Sequence, residues 1–123
     1  MISPFEFFQV AEDLANSPDD EEALFRTSVS RAYYAAFHEV ADAYAEKKKV
    51  PRSDRLFENH QNFIRTLREL RAEPKFKKLG NQLDDLKSDR IKADYKLHQD
   101  ISRNTAKKSC AASRRIFSGC QNL

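Results

Sequence analysis

The sequence predicts an all-α protein, an antiparallel helical bundle of four to five helices in one domain spanning residues 1–123. Three observations lead there. Only two Gly and four Pro occur, too few for a fold built on tight hairpins. Apolar residues recur at helical spacing, and no stretch alternates as a strand does. Ser-Pro and Glu-Pro dipeptides punctuate the chain where helices would start or stop.

The elements follow in order. Ser3 as N-cap, Pro4 at the first position and Glu6 closing a capping box predict a first helix ending near Asn16. Ser17-Pro18 repeats the device, and Asp19, Asp20, Glu21 and Glu22 suit the positive end of a helix dipole. The second helix is therefore expected to run from there to about Lys48. After a loop around Pro51–Asn59, HQNFIRTLREL places Phe63, Ile64, Leu67 and Leu70 at helical spacing. Glu73-Pro74 ends that third helix. A fourth is expected over 74–97 and a fifth from Asp100 to near Gly119. The join at Leu97–Asp100 holds no Gly or Pro, which leaves open two helices or one bent helix.

Composition bounds the class. Hydrophobic residues make up 40% and charged residues 33%, a globular balance and not a disordered one. No apolar run approaches about 18 residues, which excludes a membrane-spanning helix. MISPFEFFQVAEDLA lacks a basic stretch followed by an apolar core, so no signal peptide and a cytoplasmic location are expected. Cys110 and Cys120 stand ten apart without a CxxC or clustered His, which makes neither a zinc site nor a disulfide framework. No Glu-x-x-His occurs, so a carboxylate-bridged metal bundle fits poorly and no cofactor is expected. Gly80 falls inside the fourth helix and not in a short turn, so a helix-turn-helix is not signalled. Residues 1–50 carry a net charge of −5 and residues 51–123 one of +8. The basic part suits phosphates and the acidic part a basic partner. Lys47–Lys49 with Arg52 and Arg55 make a basic connection, either solvated or facing RNA phosphates.

The second helix is the expected spine. Phe25, Val29, Ala32, Tyr33, Ala36, Phe37, Val40, Ala43 and Tyr44 share a wide arc, while Arg31, Tyr34, His38 and Asp42 gather on the opposite edge. On the fourth helix, Leu79, Leu83, Leu86 and Leu97 form a narrow seam with Arg90 in its middle and Asp94 one turn on. A charge in such a seam needs a partner or a wet cavity. Either the two residues pair at the bundle rim, or they belong to a polar pocket. Tyr95 either donates a phenol hydrogen bond or packs. His60, after the loop, is a helix-start contact, a loop anchor or a pocket-lining group.

SRAYYAAFHEV (30–40) followed by RIKADY (90–95) resembles the HEPN superfamily of small all-helical prokaryotic proteins, in its stand-alone branch with an Arg-x-x-Ala-Asp-Tyr element. The resemblance spans roughly residues 5–118. It implies a bundle that is often a homodimer, encoded beside a minimal nucleotidyltransferase or within toxin–antitoxin and antiviral defence modules. Many relatives are metal-independent RNA endonucleases whose site pairs an Arg with a His after four to six intervening residues, assembled from both subunits. A 2′-hydroxyl attacks the adjacent phosphate, His moves protons and Arg stabilises the developing charge. Arg90 matches that Arg, but the expected His position holds Tyr95, and His98 follows with seven residues between. On a continuous helix His98 would fall within about a quarter turn of Arg90. Arg31 and His38 have the spacing on a different helix.

The expected catalytic residues are thus Arg90, with His98 or His38, and the expected binding residues are Arg31, Tyr34, Asp94 and Tyr95. RNA is the expected substrate and a nucleotidyltransferase the expected antitoxin partner. The competing expectation is a non-catalytic interaction module that binds such a partner or a nucleotide-like ligand.

Overall fold

A computed structural model describes all of residues 1–123. Five helices account for the chain: α1 (Pro4–Ala15), α2 (Glu22–Lys48), α3 (His60–Arg68), α4 (Pro74–Tyr95) and α5 (Arg103–Gln121). A short 3₁₀ turn, Arg55–Phe57, sits between α2 and α3. There are no strands, and no helix is long and apolar enough to cross a membrane.

Residue pairs fix the directions. Ser30 meets Asp94, Tyr34 meets Arg90 and Tyr44 meets Phe76, so α2 and α4 run antiparallel. Phe8 meets Phe117 and Glu12 meets Arg114, so α1 and α5 do likewise. Ser28 against Cys110 and Ser113 against Ala32 set α2 parallel to α5. Small residues allow these approaches: the Ser28 and Ser113 hydroxyls donate to the Ala11 and Ala32 carbonyls at 2.7 and 2.9 Å.

The first helix starts as its sequence requires. The Ser3 hydroxyl accepts from Glu6 N–H and the Glu6 carboxylate accepts from Ser3 N–H, closing the capping box. The second start is corrected. Ser17-Pro18 caps no helix; Ser17 Oγ accepts from the Asp19 N–H in a turn, and α2 begins only at Glu22. The reason is tertiary. Arg103, on α5, donates to the Ala15 carbonyl at 2.7 Å and to the Asp19 carbonyl at 3.4 Å, which holds the turn between the helices against α5.

The α4–α5 join is a loop, and neither a bend nor a continuation. Arg26, on α2, donates to the carbonyls of Lys92 (3.2 Å), Ala93 (2.9 Å) and Gln99, and pairs with Glu22 at 3.0 Å. Glu22 also accepts from the Ile101 N–H, and Ser102 caps α5 by accepting from Thr105 N–H at 3.2 Å. A guanidinium at a helix C-terminus satisfies carbonyls that would otherwise continue the helix. Leu97, expected in the seam, is consequently 72% exposed, and the buried residue beyond Arg90 is Ala93.

Two apolar clusters result. One joins Tyr33, Phe37, Val40 and Tyr44 to Phe63, Leu67, Leu79, Leu83 and Leu86. The other joins Phe8, Ala11, Phe25, Val29 and Ala32 to Ala93, Ala106 and Phe117. The α2 spine is buried beyond its expected arc, since Ala35, Ala41 and Ala45 are covered too. Along α4 the clusters meet between Leu86 and Ala93, the level of Arg90. Cys110 and Cys120 are free thiols whose pKa values burial pushes up, that of Cys120 to about 12.

Candidate anion-binding site between the second and fourth helices

Arg90 is a charge at the junction of two cores. It lies one turn beyond Leu86 on α4, opposite Tyr34 of α2, and its side chain is only 18% exposed. Nη2 donates to the Tyr34 hydroxyl at 2.8 Å, and Nε stands 2.8 Å from Asp94 Oδ2. Asp94 also accepts from the Ser30 hydroxyl at 3.2 Å. The expected pairing of Arg90 with Asp94 is present, and it extends to Ser30 and Tyr34. Burial works against the Arg90 charge, yet Tyr34, Asp94 and Tyr95 outweigh it and hold its pKa above the usual arginine value.

Arg31 completes the arrangement. Its guanidinium carbon lies 5.1 Å from the Tyr34 ring centre, and that of Arg90 lies 5.2 Å from the same ring. Two cations therefore share one aromatic ring while a single carboxylate balances them. Their Nε atoms are buried without a hydrogen-bond acceptor; the Arg90 Nε contact with Asp94 is close but not aligned as an N–H···O bond. Tyr95, 69% exposed, sets its ring 5.4 Å from Arg90 and forms the outer edge.

The imidazoles divide. His60, at the start of α3, stacks on Phe37 at 3.6 Å, shares a 2.8 Å hydrogen bond through Nδ1 with the Tyr33 hydroxyl, and stands edge-on to Tyr34. It is anchored and adjoins the site, a placement that spacing within one helix could not reveal. Burial, then the cations around it, lower its pKa to about 4, so it is neutral at pH 7. His38 stands further along α2, where its Nδ1 meets Arg52 Nη2 at 3.0 Å and its ring lies nearly parallel to Phe7. Burial and Arg52 lower its pKa as well.

His98 is exposed in the loop after α4. The helical reckoning that set it within a quarter turn of Arg90 is corrected, because α4 ends at Tyr95. No group of three or more His, Cys, Asp or Glu side chains could hold a metal ion.

The geometry brings the two motif segments together, with 30–34 facing 90–95 across the α2–α4 contact. The HEPN domain family matches residues 6–123, and the chain belongs to that family. No curated protein and no solved structure matches it.

Proposed function

We propose that this HEPN protein binds RNA through Arg31 and Arg90 and cleaves it without a metal ion, as a toxin or antiviral defence effector. The observation that carries this reading is the pair of half-buried guanidiniums on Tyr34, balanced by one carboxylate. A phosphodiester offers oxygens and charge to both.

In the proposed reaction the ribose 2′-oxygen forms a bond to phosphorus as its proton leaves. The phosphorus–O5′ bond then breaks, and O5′ takes up a proton. Arg31 and Arg90 stabilise the charge that builds on the non-bridging oxygens. Proton transfer is assigned to His98, exposed and available to substrate from either subunit of a homodimer. His38, committed to Arg52 through Nδ1, is assigned to substrate binding. Tyr34 and Asp94 orient Arg90, and Tyr95 borders the substrate. The setting is cytoplasmic, with a nucleotidyltransferase as antitoxin.

Purified protein incubated with tRNA in EDTA tests this. Cleavage by the wild type, abolished together with growth inhibition in Arg90→Ala, is the expected result. Persistence of both activities in Arg90→Ala overturns it.

One observation favours a second reading. No imidazole is hydrogen-bonded to the Arg90–Asp94–Tyr34 network. A non-catalytic module would use the same pair of cations for a nucleotide-like ligand and the acidic first half for a partner such as the nucleotidyltransferase. Absence of cleavage at micromolar protein selects it.

A further inference from the structure

The Arg31–Arg90 pair does not end at the α2–α4 contact. On its other side the Arg31 guanidinium lies 5.6 Å from the ring of Phe7, on α1. Phe7 in turn faces His38 with ring centres 6.3 Å apart and planes 23° from parallel. This is a far looser pair than the 3.6 Å stack of Phe37 on His60. Phe7 and His38, both half-buried, line a cleft of about 290 Å³ with Ile2, Pro4, Asp42 and Arg52.

The far wall is fixed in place. Arg52 lies 4.8 Å from the Phe57 ring, donates from Nε to Asp42 at 2.8 Å, and meets His38 through Nη2. Asp42 keeps half of its side chain exposed, with carboxylate oxygen to accept from a planar ligand's N–H edge. Cations and aromatic rings therefore alternate from Tyr95 through Arg90, Tyr34, Arg31 and Phe7 to His38. Alternation of this kind suits a single strand, whose phosphates take the cations and whose bases take the ring faces.

We propose that the cleft between α1 and α2, walled by Phe7, His38, Asp42 and Arg52, is a subsite for one unpaired base of a single-stranded nucleic acid whose phosphate lies on Arg31 and Arg90. The inference rests on the phosphate-binding reading above and adds to it the strand state of the substrate and a second contact point. A duplex cannot supply the base, because its rings are stacked on one another and face inward. The near-parallel Phe7 and His38 faces accept any base by stacking, and His38 stays uncharged at neutral pH because burial and Arg52 oppose its protonation.

The test uses 2′-O-methyl oligonucleotides, which cannot be cut through a 2′-hydroxyl, each with a single 2-aminopurine at a successive position. Wild-type protein should bind them and quench the fluorophore strongly at one position, as stacking on an aromatic ring does. Phe7→Leu keeps apolar bulk in α1 and removes the ring; it should bind about tenfold more weakly and lose that quenching. Phe7→Trp should restore both, and Arg90→Ala should weaken binding while the bound fraction remains quenched. Unchanged affinity and quenching in Phe7→Leu, with binding still lost in Arg90→Ala, overturns the subsite alone. Equal affinity for a fully paired duplex also overturns it. Failure of the wild type to bind any oligonucleotide overturns the subsite and the phosphate-binding reading together.

Discussion

Arg26→Ala removes the side chain that ends α4. In the folded protein that side chain is only 11% exposed and its guanidinium donates to the carbonyls of Lys92, Ala93 and Gln99. A hydrogen bond from a charged donor is worth about 1.5–3 kcal/mol when its partner stays buried, and nearer 1 kcal/mol when water can replace it. The carbonyls at the end of α4 lie at the surface, so the three bonds together contribute about 3 kcal/mol. For a chain of this length, 1 kcal/mol moves Tm by about 4 °C, so the expected fall is about 12 °C.

Thermal unfolding followed by circular dichroism measures that fall. Hydrogen exchange should also show faster exchange at the amides of residues 96–101, which the Arg26 fork holds in place. Arg26→Lys keeps the charge but cannot serve several carbonyls as a planar fork, and should recover only a minor part of the loss. A fall below about 3 °C would refute the reasoning, as would unchanged exchange across 96–101. Either would mean that the loop is held by Ser102 and Glu22 without Arg26.

Three further outcomes are expected. A methyl group on Gly80 would meet Leu67 Cβ at 2.8 Å; Gly80→Ala should therefore destabilise by about 1–3 kcal/mol in urea unfolding, although alanine gains about 1 kcal/mol in a helix, and a stabilised variant would show that α3 shifts freely. His60 has its folded pKa lowered from 6.5 to about 4, so the stability its neutral form contributes is intact above about pH 6.5 and lost as pH falls toward 4; part exposure cuts the full value of about 3 kcal/mol to about 1.5, and His60→Phe should flatten that slope of stability against pH. Asp94→Asn removes the carboxylate charge that orients Arg90, so RNA should bind several-fold more weakly in a filter-binding titration; tighter binding would mean that Asp94 chiefly competes with phosphate for Arg90.

Much of the site was legible because it is written at helical spacing. Arg90 and Asp94 fall one turn apart on a stripe otherwise apolar, and Arg31, Tyr34, His38 and Asp42 share one edge of α2. Arithmetic within a helix finds such sets. It left His60 open as a helix-start contact, a loop anchor or a pocket-lining group and could not choose, because His60 reaches Tyr34 only through the packing of α3 on α2 and α4. Nor did it find Phe7, which reads as one of several aromatics on α1 and joins the Arg31 edge only when α1 lies on α2.

The sequence by itself determined the all-helical class, the Ser3 capping box, the apolar spine and the charged interruption at Arg90, because periodicity and capping act within a few residues. Tertiary structure decided where α2 begins, where α4 stops and which imidazoles stand near the guanidiniums. The first two depend on Arg103 reaching the Ala15 carbonyl and on Arg26 reaching carbonyls more than sixty residues away, and the third on the packing of α3 against α2. Such contacts are formed by folding, and the local pattern at either end carries no trace of its partner.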